Sequence, residues 1–238
     1  DEFTSLTNYE KHKLNEICEY YKDLKEENTI ENVVEIHTRE EWFPHEENLL
    51  KFLVGMVKKM SCFQPFPMED KLIMIRNFFA VYINMRFIFS YDEENVAFLM
   101  AEINEQKICF RTPLHMWNDL VSEEMERVWR QCIVENKTLM MDDPVIRDLI
   151  ITLSMFREDA GIISSDLLRY KYLEINYLLE RYLQVKLRHR EKYEKHLKFI
   201  HYILSRLPKI YDGVQGFYQA VSPFHSSQLI KEIFQQKT

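Results

Sequence analysis

An all-α fold is predicted for this chain: a three-layer antiparallel sandwich of helices with one small β-hairpin. Three observations predict it. Only four Gly and seven Pro punctuate 238 residues, and so few breakers favour long helices over many short strands. Apolar residues recur at helical spacing along most of the chain. One segment, residues 68–90, is apolar on most sides. It cannot face water and has to lie between other helices, which sets three layers in one domain spanning 1–238.

Residues 9–24 read as a charged, moderately amphipathic helix. The polar stretch through Asn28, Asn32 and Thr38 reads as a loop. From His45 to about residue 62, Leu49, Phe52, Leu53, Met56 and Met60 recur at helical spacing, with Lys58 and Lys59 near the end where cations suit the helix dipole. Pro65 and Pro67 break that helix. In the apolar helix 68–90, Arg76 falls at the exposed start. Arg86 lies deep in the apolar run and needs a partner.

Residues 96–100 and 107–111 are apolar-rich and flank the polar Asn104-Glu105-Gln106; they are the expected hairpin. One or two helices follow over 114–134. Asp142-Asp143-Pro144 starts a helix to about residue 156, with acids at its positive end and Pro in its first turn. Ser164 or Ser165 caps the next, running to about residue 187. A long helix over 193–221 should bend at Pro208. After the Ser222-Pro223 break, residues 226–234 form a short amphipathic helix. Leu229, Ile230, Ile233 and Phe234 make its apolar face and Glu232 lies near the edge. Helices this short are marginal alone, so it should dock on the body; a dockable helix with one placed charge is what a switch requires.

Composition narrows function. With 46% hydrophobic and 29% charged residues the chain is of ordinary soluble type. A net charge of −7 argues against sequence-independent nucleic-acid binding. The basic cluster Lys186, Arg188, His189, Arg190 and Lys192 is answered by Glu191 and Glu194, as on a solvated face. Cys18, Cys62, Cys109 and Cys132 are too scattered for a zinc module and read as free thiols of a reducing compartment. Asn136-Lys137-Thr138 matches the glycosylation sequon by chance, with no signal peptide in view. No apolar run approaches a membrane span. No G-x-S-x-G, H-E-x-x-H or phosphate-binding glycine loop is present, so the chain is not expected to be an enzyme.

The stretch Phe63-Gln64-Pro65-Phe66-Pro67-Met68-Glu69-Asp70-Lys71-Leu72-Ile73-Met74-Ile75-Arg76 resembles the signature of nuclear-receptor ligand-binding domains, with Lys71 in place of the usual Gln. Asp143-Pro144 with Leu149-Ile150, then Phe156-Arg157-Glu158-Asp159-Ala160-Gly161, resembles the family's helix-then-turn segment. Leu229-Ile230-Lys231-Glu232-Ile233-Phe234 resembles its activation helix. Three such motifs in order, in a helical chain, extend the resemblance over nearly the whole length. The flavour is that of the sterol, bile-acid and vitamin D branch.

The resemblance implies a nuclear, ligand-dependent transcription factor domain that holds a lipophilic, sterol-like and acidic hormone in an internal cavity. It implies recruitment of Leu-x-x-Leu-Leu coactivator peptides by the terminal helix. Lys58 would cap the carbonyl end of the peptide and Glu232 its amide end. Val54, Phe63, Met68, Leu72, Ile75, Leu229 and Ile233 would line the groove, with Lys71 and Arg76 at its rim. Arg86 matches the arginine that sterol-type receptors place on a ligand hydroxyl or carboxylate, or else pairs with Glu102 or Glu46; Arg111 is a second ligand contact. Leu49, Leu53, Met56, Ile83, Phe87, Phe98, Met100, Met125, Trp129 and Cys132 would be wall residues, or simply core. Where several sterol receptors carry a bracing His, this chain has Val214, so either the bracing is done differently or Tyr211, Tyr218 or Gln215 takes over. No cofactor is implied; zinc would belong only to a DNA-binding module that these four cysteines do not supply. Partners would be a homodimer mate or a retinoid-X-type receptor, with no membrane. The alternative is a constitutive helical interaction domain of the same fold with a side-chain-filled core.

Overall fold

The computed structural model describes residues 5–22, 32–92, 97–101, 108–113, 143–159, 161–221 and 227–234. The elements run α1 (Asn8–Tyr20), β1 (Asn32–Glu35), α2 (Arg39–Val57), α3 (Met68–Ser90), β2 (Tyr91–Asp92), β3 (Ala97–Ala101), β4 (Ile108–Pro113), α4 (Pro144–Met155), α5 (Ser165–Leu187), α6 (Arg190–Val221) and α7 (Gln228–Phe234). The described residues are mostly helical, in line with the sequence.

The helices begin where the chain supplies acceptors for amides that have no intrahelical partner. Thr7 and Glu10 form a reciprocal capping box on α1: the Thr7 hydroxyl accepts the Glu10 N–H at 3.2 Å and the Glu10 carboxylate accepts the Thr7 N–H at 2.7 Å. Asp143 accepts the Val145 N–H at 2.9 Å, with Pro144 opening α4 as expected. α2 starts six residues earlier than the periodicity indicated. Thr38 accepts the Glu41 N–H at 3.3 Å, and Pro44 is carried inside the helix. Thr38-x-x-Glu41 is the signature that marks this start, within the polar stretch expected to be loop.

α5 is capped across space. Ser164 occupies the cap position but makes no side-chain cap bond. Instead the buried Asp70 carboxylate, from the first turn of α3, accepts the Ile163 N–H at 2.8 Å and the Ser164 N–H at 2.9 Å. Burial alone would raise the Asp70 pKa, but these N–H donors hold it below the usual carboxylate range. α6 is assigned as one helix through Pro208, starting at Arg190.

α4 packs against α1, α3, α5 and α6, while α3 also packs against α2, α6 and α7. α4 buries Ile146 and every residue from Asp148 to Met155. On α3, the run Asn77 to Ile83 is buried without a break, as an enclosed helix requires. The buried Thr152 hydroxyl is paired: it donates to the Asp148 carbonyl at 2.7 Å and lies 3.0 Å from the Tyr21 hydroxyl, joining α4 to the end of α1.

The expected single hairpin is part of a larger sheet. β3 and β4 pair antiparallel, with Leu99 opposite Arg111, and the polar link between them lies outside the described residues. β2 adds antiparallel to β3, and β1 adds parallel to β4 with Val34 opposite Phe110, for the order β1-β4-β3-β2. β1 was expected as loop. Four residues around Val33-Val34 are too few to display a period, and the partner strand lies more than seventy residues away. The helices expected over 114–134 lie outside the described residues. Among the described residues no helix is long and apolar enough to cross a membrane.

Glu10 does more than cap. It is buried, and it also accepts from the Tyr177 hydroxyl and from Arg181 Nε, each at 2.8 Å, tying α1 to α5. Burial would raise its pKa, but the Thr7 N–H, Arg181 and Tyr177 together lower it from 4.5 to about 2. A depressed folded-state pKa contributes stability above pH 4.5 that is lost as pH falls toward 2. Glu10→Gln should therefore lower stability at pH 7 by about 2 kcal/mol and flatten the acid limb of a urea-melt series. An unaltered limb would remove Glu10 from the acid response. Asp70→Ala should cost about 2 kcal/mol by the same assay, since two part-buried N–H donors lose their acceptor.

Candidate functional site

The short terminal helix is docked. α7 packs against α2, α3 and α6. Its first turn is secured by buried Ser227, whose hydroxyl accepts the Ile230 N–H at 3.2 Å. Its apolar residues divide into two pairs. Ile230 and Phe234, four apart, are fully buried, whereas Leu229 and Ile233 are half-buried. Glu232 is exposed and accepts from the Gln228 side chain at 3.1 Å.

Phe234 is the deeper anchor. Its ring stacks on Tyr218 of α6, with centroids 4.4 Å apart and planes at 20°, and lies 6.0 Å from Phe79 of α3. Tyr218 in turn donates to the buried Glu46 carboxylate of α2 at 2.6 Å. Burial, reinforced by Glu46, pushes the Tyr218 pKa far above its ordinary value, so the hydroxyl stays a donor. One tyrosine thus joins α2, α6 and α7. Of the three residues expected to brace the terminal helix, Tyr218 stacks on it, while Tyr211 lies under the Arg157 guanidinium, whose Cζ is 4.5 Å from its ring centroid.

α2, α3 and the turn between them carry apolar residues of differing exposure. Met68 and Leu72 of α3 are 66% and 47% exposed, unusual for large apolar side chains. Val54 of α2 and Ile75 of α3 are half-buried, and Phe63 in the intervening turn is buried. Lys58 is exposed at the C-cap of α2, and its carbonyl accepts the Gln64 side-chain amide. Lys71 donates to the Gln64 carbonyl at 2.9 Å and sits 5.7 Å above the Phe63 ring, so it braces the turn between α2 and α3. Arg76 is half-buried rather than at an exposed start; it neighbours Asp159, whose pKa its charge helps to lower, and Tyr211, whose pKa burial raises against the opposing pull of Arg76.

The residues expected to meet a hydrophobic ligand are distributed over α2, α3 and the sheet. Leu49, Leu53 and Met56 of α2 and Ile83 of α3 are buried. Arg86 and Phe87 fall near the C-terminal end of α3. On β3, Phe98 is opposite Thr112 and Met100 opposite Phe110. Arg111 of β4 pairs with Glu35 of β1 at 2.7 Å, at the edge of the sheet. Met125, Trp129 and Cys132 lie outside the described residues. A contact not anticipated is the aromatic group of Trp42, His45 and Phe110, which ties α2 to β4. The His45 and Phe110 centroids are 3.9 Å apart, and those of Trp42 and Phe110 6.3 Å. Trp42 and His45 are three apart on α2, and recognising the helix start at Thr38 would have revealed their shared face.

No family model matches the chain. It is similar to nuclear hormone receptor HR96 of Drosophila melanogaster, 23% identical over 189 residues, which cover 79% of this chain and 26% of that protein. The chain thus spans about a quarter of that relative's length.

Phe234→Ala should release α7 with little loss elsewhere. Hydrogen exchange of residues 228–234 should rise steeply while exchange in α4 stays slow. Tyr218→Phe, which keeps the stack but drops the bond to Glu46, should cost about 1 kcal/mol in a urea melt.

Proposed function

We propose that this chain is the ligand-binding domain of a nuclear hormone receptor, a non-enzymatic regulator of transcription that works in the nucleus. The observation that carries the reading is the docked α7, packed on α2, α3 and α6 with Leu229 and Ile233 half-buried and Glu232 exposed, while α3 carries the exposed apolar Met68 and Leu72. The similarity to a nuclear hormone receptor over most of the chain supports it. In this reading residues 1–238 form one domain, layered as a three-tier helical sandwich.

The function follows from α7. A Leu-x-x-Leu-Leu peptide helix arrives with unmet N–H groups at one end and unmet carbonyls at the other. Lys58, at the end of α2, suits the carbonyls, and Glu232, on α7, suits the amides. Val54, Phe63, Met68, Leu72, Ile75, Leu229 and Ile233 supply the apolar floor between them, in the manner of a helix laid in a groove. Lys71 and Arg76 border it.

A sterol-like acid occupies the interior between α2, α3 and the sheet. Its carboxylate or hydroxyl meets Arg86, with Arg111 as a second contact, because a guanidinium fork suits a carboxylate. Leu49, Leu53, Met56, Ile83, Phe87, Phe98, Met100, Met125 and Trp129 form the wall. The ligand biases α7 toward its docked position only as far as it binds that state more tightly. Within the sterol branch the likeness runs to the nematode receptor that controls dauer larva formation. A dimer, with a second copy or a retinoid-X-type partner, completes the assembly through α6.

Fluorescence anisotropy with a labelled Leu-x-x-Leu-Leu peptide tests the reading. Glu232→Ala and Lys58→Ala should each weaken peptide binding by about tenfold or more and leave steroid binding intact. Loss of both activities together would point to misfolding. Arg86→Met should weaken a steroid acid far more than its neutral alcohol; equal losses would remove the carboxylate role. A chain whose melting temperature no sterol acid shifts would be a constitutive interaction domain.

A further inference from the structure

Away from α7, the end of α4, the residues just after it, α5 and α6 line a half-open cavity of about 390 Å³, within the usual span of small-molecule sites. Leu153, Phe156 and Leu204 contribute apolar wall, and Arg157, Arg169 and His201 line it as well. Arg157 is the unusual member. Its guanidinium lies over the Tyr211 ring, which restrains its plane. Its Nε and Nη1 are buried without a hydrogen-bond partner among the described residues. Both atoms are closed to water, so they mark an under-neutralised charge behind the cavity wall rather than donors within it.

Charge accounting points the same way. Arg76 and Arg157 both act on Asp159, whose carboxylate already accepts the Gly161 N–H at 3.0 Å and the Asn77 side chain at 2.9 Å. Arg76 Nε is also unmet. Among the described residues one carboxylate thus serves two guanidiniums, and Arg169 and the exposed Glu158 add one charge of each sign to the cavity lining. The carbonyl end of α4 borders the cavity, which disfavours a compact, multiply charged anion such as phosphate. Apolar wall beside an under-neutralised guanidinium fits a singly charged head on an apolar body.

We propose that this cavity binds a small amphipathic carboxylic acid, its carboxylate drawn to the Arg157 and Arg169 charges at the wall and its body covering Leu153, Phe156 and Leu204. The site is separate from the hormone interior and does not depend on the reading of α7. Isothermal titration of the whole chain with 4-phenylbutyrate, and with 4-phenylbutanol as the uncharged match, tests it. The acid should bind at one site, and the alcohol about tenfold more weakly or worse. Arg157→Gln should weaken the acid by about tenfold, and Ser205→Trp, which fills the cavity from α6, should block it. Arg86→Met should leave it unchanged. Circular dichroism melts establish that the variants fold; should Arg157→Gln not fold, Ser205→Trp and the acid–alcohol pair decide. Equal binding of acid and alcohol overturns the proposal, as does acid binding that survives Ser205→Trp or is lost in Arg86→Met. If phenylbutyrate fails to bind while Arg157→Gln shifts the sedimentation of the chain toward monomer, the acceptor is a carboxylate of a second copy, and the small-molecule proposal falls.

Discussion

A helix of seven residues does not hold itself in water, so the position of α7 rests on what it buries. Two side chains carry that burden. Ile230 and Phe234 are sealed against α2, α3 and α6, each contributing about 1.5–3 kcal/mol. Against this stands the conformational entropy lost in ordering the segment. Anything that strengthens or loosens the pocket around Phe234 changes the population of the docked helix, and the proposed function depends on that sensitivity.

The pocket itself is held by polar bonds rather than by apolar packing alone. The hydroxyl of Tyr218 reaches Glu46 while its ring carries Phe234. α2, α6 and α7 are thereby coupled through one side chain, with Phe79 of α3 alongside. The same economy recurs elsewhere. Glu10 caps its own helix and holds Arg181 and Tyr177 of α5. Asp70 begins α3 and caps the start of α5. Glu10 satisfies donors from two elements, and Asp70, carried on α3, satisfies two that open α5; the bonds make each carboxylate's desolvation tolerable and fix the elements' relative placement.

Much of this was legible in the chain. The apolar circumference of 68–90 identified an enclosed helix, and Asp143-Pro144 identified the start of another, because both signals are local and strong. The terminal helix was legible as amphipathic, but not the division of its apolar face into buried Ile230 and Phe234 and half-buried Leu229 and Ile233. That division depends on which neighbours surround it. The start of α2 was missed although Thr38 and Glu41 announce it, since a polar run obscured the capping pattern. β1 was missed for a different reason: a four-residue strand is defined by its partner, and the partner strand, β4, is remote in sequence.

By itself the sequence determined the helical class, the order of the long helices and the amphipathic character of the tail, because these follow from residue spacing within a few turns. Tertiary structure alone decided that Asp70 caps α5 in place of a serine side chain, that Tyr218 is the residue stacked on Phe234, and that Arg157 is left with buried donors unmet. Those outcomes turn on groups brought together from distant parts of the chain. Hydrogen bonds and ring contacts act over a few ångströms in space, and no periodicity along the chain records which distant residue will stand at that range.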